Sequence, residues 1–270
     1  RAREGDSPQR EILVLNLLAE CDFRLGKYAE AVETSTESIR INTPVKDSVL
    51  LAKAYRNLGN VHTFGLKQYE EALRYQLLAL EIYQQKNDKK MIAAQYGSIT
   101  WIYGITGTKT EEGMAMATAG IRIATAINDA QLLAYNYNSK GIFFIQLQQY
   151  DSAIDVLEKS NDFATQANDK AVHAYNKTLI GDAYLKKNEP TKALAIFREA
   201  LQEATVLDIR EVKKDANLGM ANAFEALGNT KDAFAYFRNY AALKDTLLNG
   251  EVSQKALFYK SRMEDERQQA

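Results

Sequence analysis

The residues best suited to chemistry in this chain are few and far apart: two histidines, His62 and His173, a single cysteine, Cys21, and the acidic pairs Glu70-Glu71 and Glu111-Glu112. A nucleophilic cysteine needs a base beside it, and a zinc site needs three or four ligands at short spacings. Neither pattern occurs around Cys21, His62 or His173. One cysteine also rules out an internal disulfide and a redox pair. The acidic pairs recur one period apart at the start of helical stretches, where carboxylates complement the amide dipoles, so a structural role accounts for them. No phosphate-cradling loop or nucleophile elbow occurs. These residues point away from an enzymatic site, and no cofactor is expected.

The elements that would position any site are set by a period. Alanine or glycine recurs 40 or 41 residues apart at Ala31, Ala72, Gly113, Ala153, Ala193 and Ala233. A second series, Ala19, Gly59, Thr100, Gly141, Gly181 and Ala221, runs 12 or 13 residues ahead of it. Between them apolar residues follow helical spacing, as at Ile142, Ile145 and Leu147 and then Ala153, Ile154 and Leu157. Pro8, Pro44 and Pro190 fall where helices begin or are separated, and the pairs Asn87-Asp88, Asn128-Asp129 and Asn168-Asp169 suit the caps of following helices. The spacing predicts helix pairs at 9–25 and 28–41, 46–64 and 68–85, 88–106 and 110–126. It continues with 129–147 and 150–166, 169–187 and 190–206, 210–227 and 230–248, and a last helix at 251–268. Repeats two and three each carry one extra residue in their turns.

These residues give the chain its likeness to a known family. It resembles tetratricopeptide repeats, whose first helix carries a Leu-Gly step and an aromatic and whose second carries an alanine and an aromatic. Repeat two has Leu58-Gly59, Tyr69 and Ala72, repeat four Gly141, Phe144, Tyr150 and Ala153, and repeat five Gly181, Tyr184, Ala193 and Phe197. Repeat one keeps Leu18-Ala19, Gly26, Tyr28 and Ala31, and repeat six has Ala221, Phe224, Ala233 and Phe237. Repeat three, with Thr100, Tyr103, Thr110 and Gly113, departs furthest. The resemblance implies an all-α fold: a right-handed α-solenoid of six helix pairs over residues 1–250, plus a capping or connector helix at 251–270. The physical basis is that small residues let two helix backbones approach while aromatics fill the wedges between pairs.

A formal net charge of −1 offers no basic excess for phosphates, so nucleic acid is not an expected partner; a protein or peptide is. No apolar run approaches the roughly 18 residues a membrane helix needs, so no insertion is expected within this segment. In arrays of the resembled kind the first helices line the concave face. On the register of the small residues, the candidate contacts are Lys53, Arg56, Asn57 and Asn60 in repeat two and Gly97 and Trp101 in repeat three. Tyr135 and Asn138 follow in repeat four, Tyr175, Thr178 and Asp182 in repeat five, and Asn222 in repeat six. Amides bond to peptide main chain and rings supply contact area at low entropic cost. Tyr55, Tyr96 and Tyr137 are assigned to packing, His62 to an aromatic core slot, and His173 to solvent.

From Leu248 the apolar residues Val252, Ala256, Tyr259 and Met263 form one helical stripe, fitting either a cap over repeat six or a connector. The segment from Tyr240 is similar to the juxtamembrane end of repeat-bearing bacterial sensor proteins. That resemblance implies the periplasmic ligand-sensing region of a signalling protein, with a membrane helix and a histidine kinase or DNA-binding module beyond it. A constitutive cytoplasmic adaptor is the alternative, and homodimerisation stays open.

Overall fold

The computed structural model describes the backbone of residues 7–269 and the side chains of residues 8–248. Among the described residues every regular element is helical: α1 (Ser7–Arg24), α2 (Tyr28–Val45), α3 (Ser48–Asn60), α4 (Tyr69–Gln85), α5 (Lys89–Thr106) and α6 (Thr110–Ala126). They are followed by α7 (Ala130–Gln146), α8 (Tyr150–Gln166), α9 (Lys170–Lys186), α10 (Pro190–Val206), α11 (Arg210–Ala226) and α12 (Thr230–Gln269). These are sequential packed pairs of a tetratricopeptide-like solenoid.

The chain forms two compact units, one of residues 1–102 with 249–270 and one of residues 103–248. In the first, α1 packs on α2, α2 on α3 and α3 on α4, and α1 also lies beside α3. In the second, each helix from α6 to α11 packs on the next, while α7 lies beside α9 and α9 beside α11. First helices of successive pairs therefore sit side by side within each unit.

The small residues mark the closest helix approaches. A Cβ added at Gly181 would lie 2.6 Å from the Phe197 ring, and one at Gly141 would lie 2.6 Å from Leu157. Both partners belong to the second helix of the same pair, and both are fully buried. Gly219 of α11 meets the same Phe197 ring, at 2.2 Å for an added Cβ. One phenyl ring thus fills the space that two glycines leave open on the flanking helices.

Joints between helices use the left-handed region. Asn87, Asn128 and Asn168 have φ of 53°, 53° and 55°, and asparagine tolerates that conformation better than most residues. The next residue caps the following helix: the Asp129 carboxylate accepts from Leu132 N–H and that of Asp169 from Val172 N–H. Meanwhile Asp129 N–H donates to the Ala124 carbonyl five residues back, closing the preceding helix. Each Asn-Asp pair divides its labour between ending one helix and starting another.

Three expectations are corrected. Pro44 lies in the last turn of α2, not in a gap, because Lys46 at φ 60° is the residue that ends the helix. No helix break separates 230–248 from 251–268, since α12 runs unbroken from Thr230 to Gln269. The stripe from Val252 to Met263 lies outside the described side chains. Third, the extra residue of repeat two sits inside a helix, not in its turn: α3 continues into a π-helical turn, Val61–Gly65, which absorbs it. In repeat three the extra residue does fall in the turn, where Gly107 and Lys109 both have positive φ.

The close approach at Gly181 yields a stability prediction. Gly181→Ala should lose about 1–3 kcal/mol through overpacking against Phe197, outweighing the roughly 1 kcal/mol of helix propensity that alanine adds. Adding Phe197→Leu, which shortens the obstructing side chain, should return part of that loss. Urea unfolding of the single and double variants checks both, and a stabilised Gly181→Ala protein would contradict the packing.

Candidate functional site

Polar residues on the first helices divide into two groups. One group is consumed by the array. Asn57 is buried and its Nδ2 donates to the Asn16 carbonyl at 2.9 Å, while Asn16 Nδ2 donates to the Leu50 carbonyl at 3.0 Å. Asn138 Nδ2 donates to Asn176 Oδ1 at 2.6 Å, and Asn176 Nδ2 donates to Ser160 Oγ at 2.8 Å. Ser160 in turn donates to the Ala134 carbonyl. Thr178 is buried and donates to the Tyr175 carbonyl at 2.7 Å. Buried amides and hydroxyls cost stability unless paired; the asparagine pairings join neighbouring repeats, whereas Ser160 bonds within repeat four and Thr178 within α9.

The second group retains exposure. In the first unit, Lys53 is half-buried, and Arg56 reaches Glu20 of the preceding first helix at 3.5 Å. Asn60 Oδ1 accepts from Gln76 Nε2 at 3.0 Å. Trp101 is half-buried, with ring centroids 5.0 Å from Phe64 and 6.5 Å from Tyr69. Phe64 belongs to the π turn, is 47% exposed, and approaches Phe23 at 6.3 Å. Phe23, Phe64 and Trp101 thus place one ring from each of three successive first helices in a row. His62, in the same π turn as Phe64, is 4% exposed, stacks on Tyr75 at 5.5 Å and shares a hydrogen bond with Gln68 at 2.8 Å.

In the second unit, Tyr135 is exposed and its hydroxyl donates to Asp169 Oδ2 at 2.9 Å, tying this face to the helix cap. Tyr175 packs partly against Ala174, Val212 and their neighbours, and Asn222 is exposed. Asp182 is half-buried. Burial and the negative charge of Asp215 push its carboxyl up to about 7, with Lys186 opposing them. Of the tyrosines assigned to packing, Tyr55 stacks on Tyr75 at 6.1 Å and Tyr137 lies parallel to Phe163 at 5.7 Å.

His173 corrects the solvated assignment. Its Nδ1 lies 2.9 Å from Glu203 Oε2, and Lys177 Nζ donates to Glu199 at 2.8 Å and Glu203 at 2.7 Å. Burial pulls the Lys177 ammonium down, but its two carboxylate partners outweigh that and hold it above the ordinary lysine value. Burial likewise raises Glu203, and its bonds to Lys177 and His173 bring it below the usual carboxylate range. This network lines a groove of about 610 Å³ among α8, α9 and α10, with Ala164, Asn168 and Val206 on its walls. A sequence trace existed: His173 and Lys177 are four apart, as are Glu199 and Glu203, so each pair shares a helix face.

Among the described residues no group of His, Cys, Asp and Glu is arranged to hold a metal ion, and no helix is long and apolar enough to cross a membrane.

Asp182 makes the site's pH dependence testable. Its folded value lies above the unfolded 3.8, so the native chain holds more protons between these values. Its contribution to stability therefore falls as pH rises from about 4 to about 7 and is then flat. Asp182→Asn removes that fall, so its urea midpoint relative to the parent should be higher at pH 8 than at pH 5. An equal difference at both pH values contradicts the assignment.

Comparison with known proteins agrees with this architecture. Residues 10–85 and residues 174–204 each match a tetratricopeptide repeat family model. A sequence comparison with curated proteins finds no match. Among solved structures, a Rap protein complexed with competence and sporulation factor is similar at TM-score 0.66 and 15% identity, covering 89% of this chain and 76% of that one. The Rap conjugation gene regulator of plasmid pLS20, in complex with the Phr* peptide, has TM-score 0.65 and 9% identity, covering 86% and 73%. A signal transduction ATPase with a tetratricopeptide repeat sensor, from Pyrococcus horikoshii, has TM-score 0.65 and 16% identity; the likeness covers 93% of this chain but 39% of that one. At these identities the likeness shows the fold.

Proposed function

We propose that this tetratricopeptide repeat protein is a non-catalytic peptide- or protein-binding array serving as the ligand-sensing region of a bacterial signalling protein. The observation that carries the reading is the division of the first-helix residues. Asn57 and Asn138 bond across repeats and Thr178 within its own helix, while Lys53, Arg56 and Trp101 of the first unit and Tyr135, Tyr175, Asp182 and Asn222 of the second keep partial or full exposure on first helices, which lie side by side within each unit. First-helix surfaces are the ones such arrays present to a partner. Rings and an exposed amide supply area and hydrogen bonds for an extended chain, and the carboxyl of Asp182 beside Asp215 favours a basic group on the ligand. The similar Rap proteins solved with competence and sporulation factor and with the Phr* peptide support a peptide ligand.

Sensing is supported by α12. Its 40 residues would extend about 60 Å at 1.5 Å per residue, so a change in the packing of repeat six is carried along one unbroken helix. We place the array outside the cytoplasm, as the ectodomain of a membrane-anchored sensor, with catalytic output supplied by another module.

Selection from a displayed library of short peptides tests the binding reading. Enriched peptides should lose at least tenfold in affinity on Tyr135→Ala or Trp101→Ala, the loss typical of aromatic anchors. Peptides that bind these variants and the parent equally would reject the face. Asn249→Pro, which interrupts α12, should leave peptide affinity unchanged while abolishing the ligand response of the signalling protein; a retained response would remove the connector role.

A further inference from the structure

Two interior joints of the second unit follow one size rule, whereas the joints of repeats one to four carry Ser35, Gln76 and Ala117 in the second of these slots. Between repeats four and five, Ile154 and Leu157 of α8 pack against Ile180 and Ala183 of α9. Between repeats five and six, Leu194 and Phe197 of α10 pack against Met220 and Ala223 of α11. In both, the second helix contributes two large apolar side chains three residues apart. The first helix contributes one large aliphatic side chain and, three residues on, an alanine. All eight residues are buried.

The same slots at the two ends of the chain hold the same classes of residue and are uncovered. By the repeat register, Leu18 and Cys21 of α1 occupy the slots of Ile180 and Ala183 and of Met220 and Ala223. Leu18 is 50% exposed, and Cys21 is exposed. Forward along the register, Phe234 and Phe237 of α12 occupy the slots of Leu194 and Phe197, yet they are 67% and 51% exposed. Val14, one turn before Leu18, is 52% exposed where its counterpart Ala216 is fully buried. The two ends are the two halves of an interior joint: large-large on α12, large-small on α1.

We propose that the α12 face of one molecule, Phe234 and Phe237, docks on the α1 face of a second copy, Leu18 and Cys21, continuing the stacking of repeats from one molecule into the next. A second copy is the occupant because this one chain presents both complementary halves, in the slots that two of its own interior joints, α8 on α9 and α10 on α11, already pair. The contact is head-to-tail, so each molecule keeps one face free after the first contact. It uses neither the first-helix stripe nor the peptide reading and stands or falls apart from them.

Sedimentation velocity of the 270-residue chain from about 1 to about 100 µM tests the contact. The weight-average mass should rise with concentration. Leu18→Glu and Phe237→Glu, both at half-exposed positions and so compatible with folding, should each abolish that rise while leaving thermal unfolding by circular dichroism unchanged. An equimolar mixture of the two variants should form a dimer and stop there, because one supplies the intact α12 face and the other the intact α1 face. A parent chain that stays monomeric throughout overturns the proposal. So does a mixture that stays monomeric, or a single variant that still associates, which would mean that like faces pair with each other.

Discussion

Close approach of helix backbones at positions without a bulky side chain is the constraint on which the remainder of the structure depends. Gly141 faces Leu157 and Gly181 faces Phe197, each with no room for a Cβ. Because the partner sits a fixed distance along the second helix, this contact sets the register of each pair. The same buried ring of Phe197 then meets Gly219 of the next pair, so the register is handed from one repeat to the next. Dispersion and apolar burial act over every such joint, and a chain of joints between neighbours replaces the single core of a globular domain.

A polar layer accompanies this apolar packing. Asn16, Asn57, Gln76, Gln95, Asn138 and Asn176 are buried, and their amides bond to main chain or to one another between adjacent helices. Such pairs add directionality that apolar contacts lack, because a slipped register would leave an amide buried without its partner. The layer also explains why polarity alone is a poor guide to ligand contact in this fold. Asn138 and Asn222 are both asparagines on first helices, yet one is a structural bond and the other faces solvent.

Irregularity in the period coincides with chemical variety. The extra residue of repeat two becomes a π turn that pushes Phe64 outward beside Trp101, and repeat three takes its extra residue as a turn with two positive φ values. Regular repeats must satisfy their neighbours on both sides, which restricts their side chains. Where the helix bulges, ring-bearing residues gain exposure without loss of the joint beneath, where Val61 stays buried with Ala31 and Leu66.

Helix pairing and most joints were legible in the residues because their causes are local or strictly periodic. Glycine or alanine at a close approach, asparagine at a left-handed joint and aspartate at a cap each leave a one-residue trace. The unbroken α12 was not legible, since Asn249-Gly250 reads as a break although helical geometry continues through it. Burial of Asn57, Asn138 and Thr178, the pairing of His173 and Lys177 with Glu203, and the exposure of Phe234 and Phe237 were decided only in three dimensions. Each depends on which side chain a neighbouring helix, some 15 to 40 residues away, brings to the same place. Spacing within one helix determines a face; what covers that face is a property of the packed neighbours.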